Sequence, residues 1–314
     1  MKLSRLLVPL LFVASAWTAL AQSPATPTAP PRAPAYTRTE DVVYGRKFGV
    51  ALTLDVVQPT AVKPNGYAII AIVSGGWKSS HDGVNPSAYA PFLARGYTVF
   101  AVVHGSQPKF ILAEIVPDIH RAVRFIRTHA ARWQINPDRL GVTGSSAGGH
   151  LSLTLGTQGG AGQPDAKDPV DRASSAIQAV ACFYPPTDFL NYGRDGEIAV
   201  GVGILKDYPP AFGPDVATPE GRQRLGEQFS PARFVSAKTA PTLIIHGDAD
   251  PLVPIQQSQH FVQRATAVGA HAVLVTRPGA EHGGKTWTTI TADRALFADW
   301  FDHHLRGLPA PTAR

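Results

Sequence analysis

Residues 141–150 read GVTGSSAGGH, at the junction between a short apolar run and a segment of helical character. The run RLGVTG at 139–144 is typical of a buried strand, and AGGHLSLTLG at 147–156 is typical of a helix. The pattern G-x-S-x-G fits only with Ser146 at its centre, because centring it on Ser145 would require glycine at positions that hold Thr and Ala. We therefore predict a tight strand-to-helix turn at Ser146, with small neighbours that let the chain pass.

Apolar runs and helical segments alternate on both sides of this turn. Continuous apolar runs are typical of strands buried on both faces of a sheet, and the alternation predicts a doubly wound, mostly parallel α/β sheet. An alternating pattern over 36–59 predicts an antiparallel hairpin at one edge of that sheet. The further predicted strands are 67–73, 97–103, 176–184, 240–247 and 272–279, and the further predicted helices are 86–95, 112–131, 254–267 and 292–305.

Composition divides the chain into four parts. Residues 1–21 have a charged start, an apolar run and a small-x-small site, which predicts a secretory signal peptide and a secreted or periplasmic protein; a membrane anchor is the alternative. Residues 22–35 are rich in Pro, Ala and Thr and predict a disordered linker. Residues 36–309 then form the folded domain. Within it, the Gly- and Pro-rich stretch 189–228 is a candidate cap, with a disordered surface loop as the alternative.

Charge and cysteine content exclude several classes of function. The formal net charge of +6 falls to about +4 once Lys2 and Arg5 are removed, and the basic residues are scattered, so we expect no nucleic-acid partner. The single cysteine, Cys182, excludes an intramolecular disulfide and lies in an apolar run, where we expect a buried, unreactive thiol. After signal cleavage we expect no membrane partner, and the oligomeric state is left open.

A serine becomes nucleophilic only when a base takes its proton and an acid orients that base. HGDADPLVP at 246–254 supplies Asp248 and Asp250 in a loop that follows a strand, and PGAEHGG at 278–284 supplies His282 in another. The order Ser, Asp, His is that of one large class of hydrolases. We therefore predict Ser146, His282 and Asp250 as the catalytic triad, and Asp248 as a residue that hydrogen-bonds within the turn.

The predicted chemistry also needs amide donors for a negatively charged oxygen. The loop IVSGGWKSS at 72–80 follows a predicted strand and contains two glycines that allow close backbone approach. We expect Ala147 to provide one amide and Gly75, Gly76 or Trp77 to provide the other; a turn with no catalytic role is the alternative. No metal ion or organic cofactor is required.

Five motifs together resemble a known family: SGGW, NPDRLGVTGSSAGGHLS, YPPTDF, SPARFV and APTLIIHGDADPLVP. Over about 41–305 the chain is similar to the secreted bacterial α/β-hydrolases of the esterase and lipase group, near the acetyl-xylan and feruloyl esterases and the prolyl-oligopeptidase-like hydrolases. The resemblance implies the same triad and the same amide loop. Members of the group usually have a histidine before the glycines, so Ser74 is expected to brace the loop differently. Asp188 in YPPTDF matches a family position near the site rim, or caps a helix.

The predicted activity is therefore carboxylic ester hydrolysis, acting on acetyl or feruloyl esters of plant polysaccharides or on similar small esters. Trp77, Trp287 and Tyr208 are expected near the site as substrate contacts, or else as packing. An amidase or peptidase, or an arylformamidase-like hydrolase, is the enzymatic alternative, since the same machinery cleaves amides. A binding module without catalysis is a third hypothesis.

Overall fold

The computed structural model describes residues 36–310. The predicted signal peptide at 1–21 and linker at 22–35 lie outside this range. The described residues form one eight-stranded sheet with helices on both faces, which confirms the predicted α/β architecture.

The sheet has the order β1-β2-β4-β3-β5-β6-β7-β8. The pairs β1/β2 and β2/β4 are antiparallel and all the others are parallel, so the predicted hairpin does lie at one edge. The strands are β1 Tyr36–Lys47, β2 Val50–Pro59, β3 Ala68–Val73, β4 Thr98–Val103, β5 Leu140–Ser145, β6 Ala179–Phe183, β7 Thr242–Gly247 and β8 Ala272–Arg277.

The α-helices are α1 Ala90–Leu93, α2 Leu112–Thr128, α3 Ala147–Gln158, α4 Pro169–Arg172, α5 Pro209–Phe212, α6 Pro219–Phe229, α7 Gln256–Ala267 and α8 Ile290–Arg306. The helix predicted over 86–95 is a single 3-10 turn, Pro86–Tyr89, followed by the short α1. Pro91 lacks the N–H that would continue the hydrogen-bond ladder, and Gly96 ends the segment at φ 88°. Within 36–310, no helix is long and apolar enough to cross a membrane.

Two apolar layers enclose the sheet. Side chains of α2, α3 and α7 pack on one face, with Ile119, Leu151 and Phe261 as examples. Side chains of α1 and α8 pack on the other face, with Phe92 and Phe301 in edge contact at 5.8 Å between ring centroids. Cys182, in the interior strand β6, is buried, and burial raises the pKa of its thiol.

The segment 189–228 contains helices and buried side chains in this structure, and its assignment as a cap stays a prediction. It contains α5 and most of α6, and it buries Phe189, Tyr192 and Phe212. Phe212 packs against Trp77 of the SGGW loop at 5.4 Å between ring centroids. The segment thus contacts the loop that follows β3, at the carboxyl end of the parallel strands.

Candidate active site

The turn at Ser146 has the strained geometry that its sequence predicts. Ser146 joins β5 to α3 with φ 54° and ψ −122°, angles that a non-glycine residue adopts only when its surroundings hold it there. A Cβ on Gly144 would overlap the carbonyl of Gly148, and a Cβ on Gly148 would lie 2.7 Å from the carbonyl oxygen of Ile72. Glycine is therefore required on both sides of this serine by backbone packing alone.

The three predicted triad residues are in hydrogen-bond contact, although 136 positions separate the serine from the histidine. His282 Nε2 lies 2.8 Å from Ser146 Oγ, and His282 Nδ1 lies 2.6 Å from Asp250 Oδ2. The first distance suits proton transfer from the serine to the imidazole, and the second suits a hydrogen bond that orients the ring. Each side chain follows a parallel strand, and the carboxyl ends of these strands meet at one edge of the sheet.

The Asp250 carboxylate is held by more than its contact with His282. Its Oδ1 accepts the backbone N–H groups of Leu252 and Val253 at 2.9 and 2.8 Å, and His246 Nε2 lies 3.3 Å from its Oδ2. Burial acts to raise the pKa of Asp250, but the hydrogen bonds from His246, His282 and Val253 outweigh it and hold that pKa well below its usual value. The carboxylate therefore stays ionised and oriented toward the imidazole.

His246 contacts the Asp250 carboxylate, a partner that the sequence does not reveal. The sequence alone indicates a structural histidine at the end of a strand, and this residue is indeed fully buried, with Nδ1 2.6 Å from Ser258 Oγ. Its contact with Asp250 becomes visible only when the loop after β7 is folded.

Asp248 has the turn role expected of it. Its exposed carboxylate accepts the backbone N–H of Gly279 at 2.7 Å and so ties the loop after β7 to the loop that carries His282. It makes no contact with the imidazole of His282 among the contacts of the described chain. Of the two aspartates in this loop, Asp250 is therefore the one that reaches His282, and Asp248 is not.

One of the three candidate amide donors in the SGGW loop is already used. The N–H of Gly75 donates to the carbonyl of Lys78 at 3.0 Å, so the expectation that Gly75 is an oxyanion donor is wrong on hydrogen-bond grounds. Among the loop and turn hydrogen bonds of residues 36–310, none has the backbone N–H of Gly76 or Trp77 as its donor. Ala147 is the first residue of α3, where an N–H has no partner within the helix. The backbone N–H of Ala147 and that of Gly76 or Trp77 thus remain available to stabilise an oxyanion.

The loop is held by its backbone and by the indole of Trp77. Trp77 is buried, and its Nε1 donates to His150 Nδ1 at 3.2 Å, so its side chain is a packing group and not the substrate contact that we expected. Gln107 Nε2 donates to the carbonyl of Gly76 at 2.9 Å. Ser74 does not brace the loop by a hydrogen bond, because its Oγ is buried and has no partner among the described residues.

Two further expected substrate contacts are occupied elsewhere. Asp188 is buried, and its carboxylate accepts the N–H of Leu190 at 3.0 Å in a turn, with no helix starting there; it is neither a helix cap nor a rim residue. Trp287 is buried, and its Nε1 donates to Asp293 at 2.7 Å. Both expectations are wrong because these polar atoms already have partners inside the protein.

An open cleft borders Gly76, one of the available amide donors. Its volume is about 430 Å³, and it is lined by Gly75, Gly76, Lys78, Gln107, Pro108, Asp207, Tyr208 and Pro210. Tyr208, from the candidate cap, packs edge-on against Trp77 at 5.8 Å between ring centroids, so it is the predicted aromatic that does lie at the site. Tyr184, which the sequence does not single out, packs on the His282 ring at 4.5 Å.

Metal-ligating side chains come together at one place in the described chain. Asp41, Asp55 and His81 lie close enough to share an ion. The guanidinium of Arg38 already occupies this cluster, with Nε 2.7 Å from Asp55 Oδ2 and Nη2 3.1 Å from His81 Nε2. A cation of the protein itself thus neutralises these ligands.

A serine on a strained strand-to-helix turn, joined through an imidazole to a carboxylate on a mostly parallel eight-stranded sheet, defines the α/β-hydrolase class. The sequence profile of the BD-FAE family matches residues 54–265. The chain therefore belongs to the BD-FAE family.

Individual relatives agree with this assignment. The chain is 27% identical over 267 residues to Esterase LipQ of Mycobacterium tuberculosis, covering 81% of this chain and 59% of LipQ. It is 27% identical over 255 residues to an acetylxylan esterase of Xylanibacter ruminicola, covering 79% of this chain and 47% of that protein. A truncated carbohydrate esterase from gut microbiota superimposes with a TM-score of 0.72 at 25% identity, covering 88% of this chain and 100% of that one. The chain thus spans about half to three fifths of the length of the two curated relatives.

Proposed function

We propose that this chain is a serine carboxylic ester hydrolase with Ser146 as nucleophile, His282 as general base and acid, and Asp250 as the residue that orients the imidazole. The observation that carries the proposal is the continuous contact from Ser146 Oγ through His282 to Asp250, at 2.8 and 2.6 Å, on a serine with φ 54°. An intact triad of this kind argues against a binding module that has lost its chemistry.

Acylation is the first step. As Ser146 Oγ attacks the ester carbonyl carbon, its proton passes to His282 Nε2 and the carbonyl electron pair moves onto oxygen. The amides of Ala147 and of Gly76 or Trp77 stabilise this oxyanion, aided by the positive end of the α3 dipole. When the intermediate collapses, the bond to the alcohol oxygen breaks, and the leaving alcohol takes the proton from His282.

Deacylation repeats the sequence with water. His282 removes a proton from water as the water oxygen attacks the acyl carbon. The second intermediate expels Ser146 Oγ, which recovers its proton from His282, and the carboxylic acid departs. The ionised Asp250 stabilises the imidazolium formed in both steps, and none of these steps consumes a cofactor.

We propose acetyl or feruloyl esters of plant polysaccharides, or similar small esters, as the substrate class. The relatives named an acetylxylan esterase and a carbohydrate esterase support this choice. The cleft beside Gly76, open to solvent and bordered by Tyr208, suits a sugar whose ring packs on an aromatic side chain.

Labelling with a fluorophosphonate, combined with kinetics on 4-nitrophenyl acetate, tests the mechanism. We expect Ser146→Ala to abolish labelling and to lower kcat by about 10⁴ to 10⁶, and the matched Ser145→Ala to retain most of both. Equal losses in the two variants would contradict the assignment of the nucleophile. Faster turnover of an aminoacyl anilide than of the ester would favour an amidase instead.

We propose export of the chain to the periplasm or the medium, from the charged start and apolar run within 1–21. Cell fractionation of the full chain, followed by N-terminal sequencing of the product, tests this. Cleavage after Ala21 is the expected result, and a cytoplasmic full-length product would contradict it.

A further inference from the structure

A second cavity lies beside the nucleophile turn and is not used by the mechanism above. Its volume is about 380 Å³. It is bounded by the ends of β3, β5 and β6, by the segment 78–92 and by one face of α8, on which Ile290, Arg294 and Phe297 follow at helical spacing.

The cavity is positively charged. Its lining includes Lys78 and Arg294 and contains neither aspartate nor glutamate. Within 36–310, the guanidinium of Arg294 makes no salt bridge and no side-chain hydrogen bond, although it is only partly exposed. The adjacent Asp293 does not serve it, because Arg277 Nε donates to that carboxylate at 2.9 Å. Burial lowers the pKa of Arg294, as expected for a cation held without an anionic partner.

Hydroxyl groups accompany the two cations. Tyr89, Tyr184, Ser74 and Ser145 all line the same space. The Oγ of Ser74 is buried and has no partner among the described residues, which is costly unless something in the cavity accepts or supplies a hydrogen bond. A carboxylate is the ligand class that suits such a lining, since its two oxygens can accept from a guanidinium and from hydroxyl groups.

The cavity adjoins the reaction centre through three of its walls. Ser145 directly precedes the nucleophile, Gly75 belongs to the SGGW loop, and the ring of Tyr184 packs on the His282 imidazole at 4.5 Å. These shared residues make the cavity a candidate position for one part of an ester whose carbonyl lies at Ser146.

We propose that this cavity is a subsite for a carboxylate of the substrate, so that esters bearing a carboxylate near the scissile bond are preferred over their neutral analogues. The proposal rests on the proposed ester hydrolysis. The carboxylate can belong to the acid, as in a half-ester of a dicarboxylic acid, or to the alcohol, as in an acetylated uronic acid.

Two matched substrate pairs separate these sources. The first pair is monoethyl succinate and ethyl succinamate; the second is an acetylated methyl glucuronoside and its uronamide. The enzyme is the full chain, and its hydrolysis of each substrate is measured by titrating the acid that is released. We expect the wild-type kcat/KM to favour the charged member of at least one pair by about 10- to 100-fold, the range of a charge-assisted hydrogen bond. The pair that shows the preference identifies the side of the ester.

Variants on α8 test the part played by Arg294. Arg294→Gln is expected to reduce the preference for the charged member at least about tenfold, while Arg294→Lys retains part of it because the charge remains. The matched control Arg132→Gln, at an exposed position, is expected to keep the wild-type preference. Ile290→Glu places a carboxylate one turn before Arg294 and should remove the preference as well, whereas Ile290→Gln should not. This second pair keeps the test valid if Arg294→Gln does not fold.

Two outcomes would overturn the subsite. One is a wild-type ratio near unity in both substrate pairs; the other is an Arg294→Gln variant that loses activity equally on the charged and neutral members. If fluorophosphonate still labels Ser146 in these cases, only the subsite is refuted. If the wild type hydrolyses no ester and takes no label, the proposed hydrolase function fails, and the subsite fails with it.

Discussion

Replacement of Asp250 by asparagine probes the triad at one atom. Asp250 Oδ1 accepts two backbone N–H groups, from Leu252 and Val253, and only an oxygen can replace it there. The amide oxygen of the introduced asparagine is therefore held at that position, and its NH₂ group must face His282 Nδ1 at the place of Oδ2, 2.6 Å away. The substitution thus reverses the direction of this hydrogen bond while keeping the shape of the side chain.

The reversed hydrogen bond changes which nitrogen of His282 carries the proton. With Nδ1 accepting from the amide, the proton of the neutral imidazole lies on Nε2, which then cannot accept the proton of Ser146 Oγ at 2.8 Å. The imidazolium formed in the transition state also loses its carboxylate. We expect kcat to fall by about 10⁴, or about 5 kcal/mol of transition-state stabilisation.

Steady-state kinetics on 4-nitrophenyl acetate, with circular dichroism to verify the fold, measures this effect. The matched control is Asp248→Asn, because asparagine at this position keeps an oxygen that can accept the N–H of Gly279, and the kcat of this variant should stay within about threefold of wild type. The reasoning is refuted if folded Asp250→Asn keeps more than about a tenth of the wild-type kcat, or if the two variants lose activity equally.

Three further changes have defined outcomes. Gly76→Ala should lower kcat by about 10² to 10³, because Gly76 has φ 54° and an added Cβ, 2.6 Å from Tyr208 Cε1, would displace an oxyanion amide. In the control Gly75→Ala, an added Cβ meets nothing within 4 Å, so kcat should fall far less. Equal losses of kcat in the two variants would contradict the assignment of the oxyanion amides. Trp287→Phe should lower the free energy of unfolding by about 1–3 kcal/mol in denaturant titration, because the buried carboxylate of Asp293 loses its hydrogen bond from the indole N–H. The KM for a short neutral ester should stay unchanged. A raised KM would restore Trp287 as a substrate contact. Since the pKa of Asp250 is lower in the folded than in the unfolded chain, its contribution to stability is fully present above pH ~4 and is lost as the pH falls through the folded pKa. The difference in unfolding free energy between wild type and Asp250→Asn should therefore shrink as the pH falls below about 4, and a difference that grows over that range would contradict this.

Local sequence patterns predicted the sheet, the edge hairpin and the turn at Ser146. Each of these depends on neighbours in the chain: a run of apolar residues, an alternation, or glycines two positions either side of a serine. The sequence also predicted that Ser146, Asp250 and His282 lie at one edge of the sheet. Each of them follows a predicted parallel strand, and the carboxyl ends of parallel strands share that edge. The helix at 86–95 was shorter than its pattern indicates, since a proline within it removes a backbone donor.

Only the tertiary structure decided which polar atoms remain free. Asp188, Trp287 and the amide of Gly75 have the right residue types near the right motifs, yet each already has a partner inside the protein. Conversely, no motif marks Arg294, which lines a cavity beside the nucleophile without a counter-charge among the described residues. Residue type determines what a side chain can do chemically, but its hydrogen-bond partners come from distant parts of the chain, so availability is set by the folded packing.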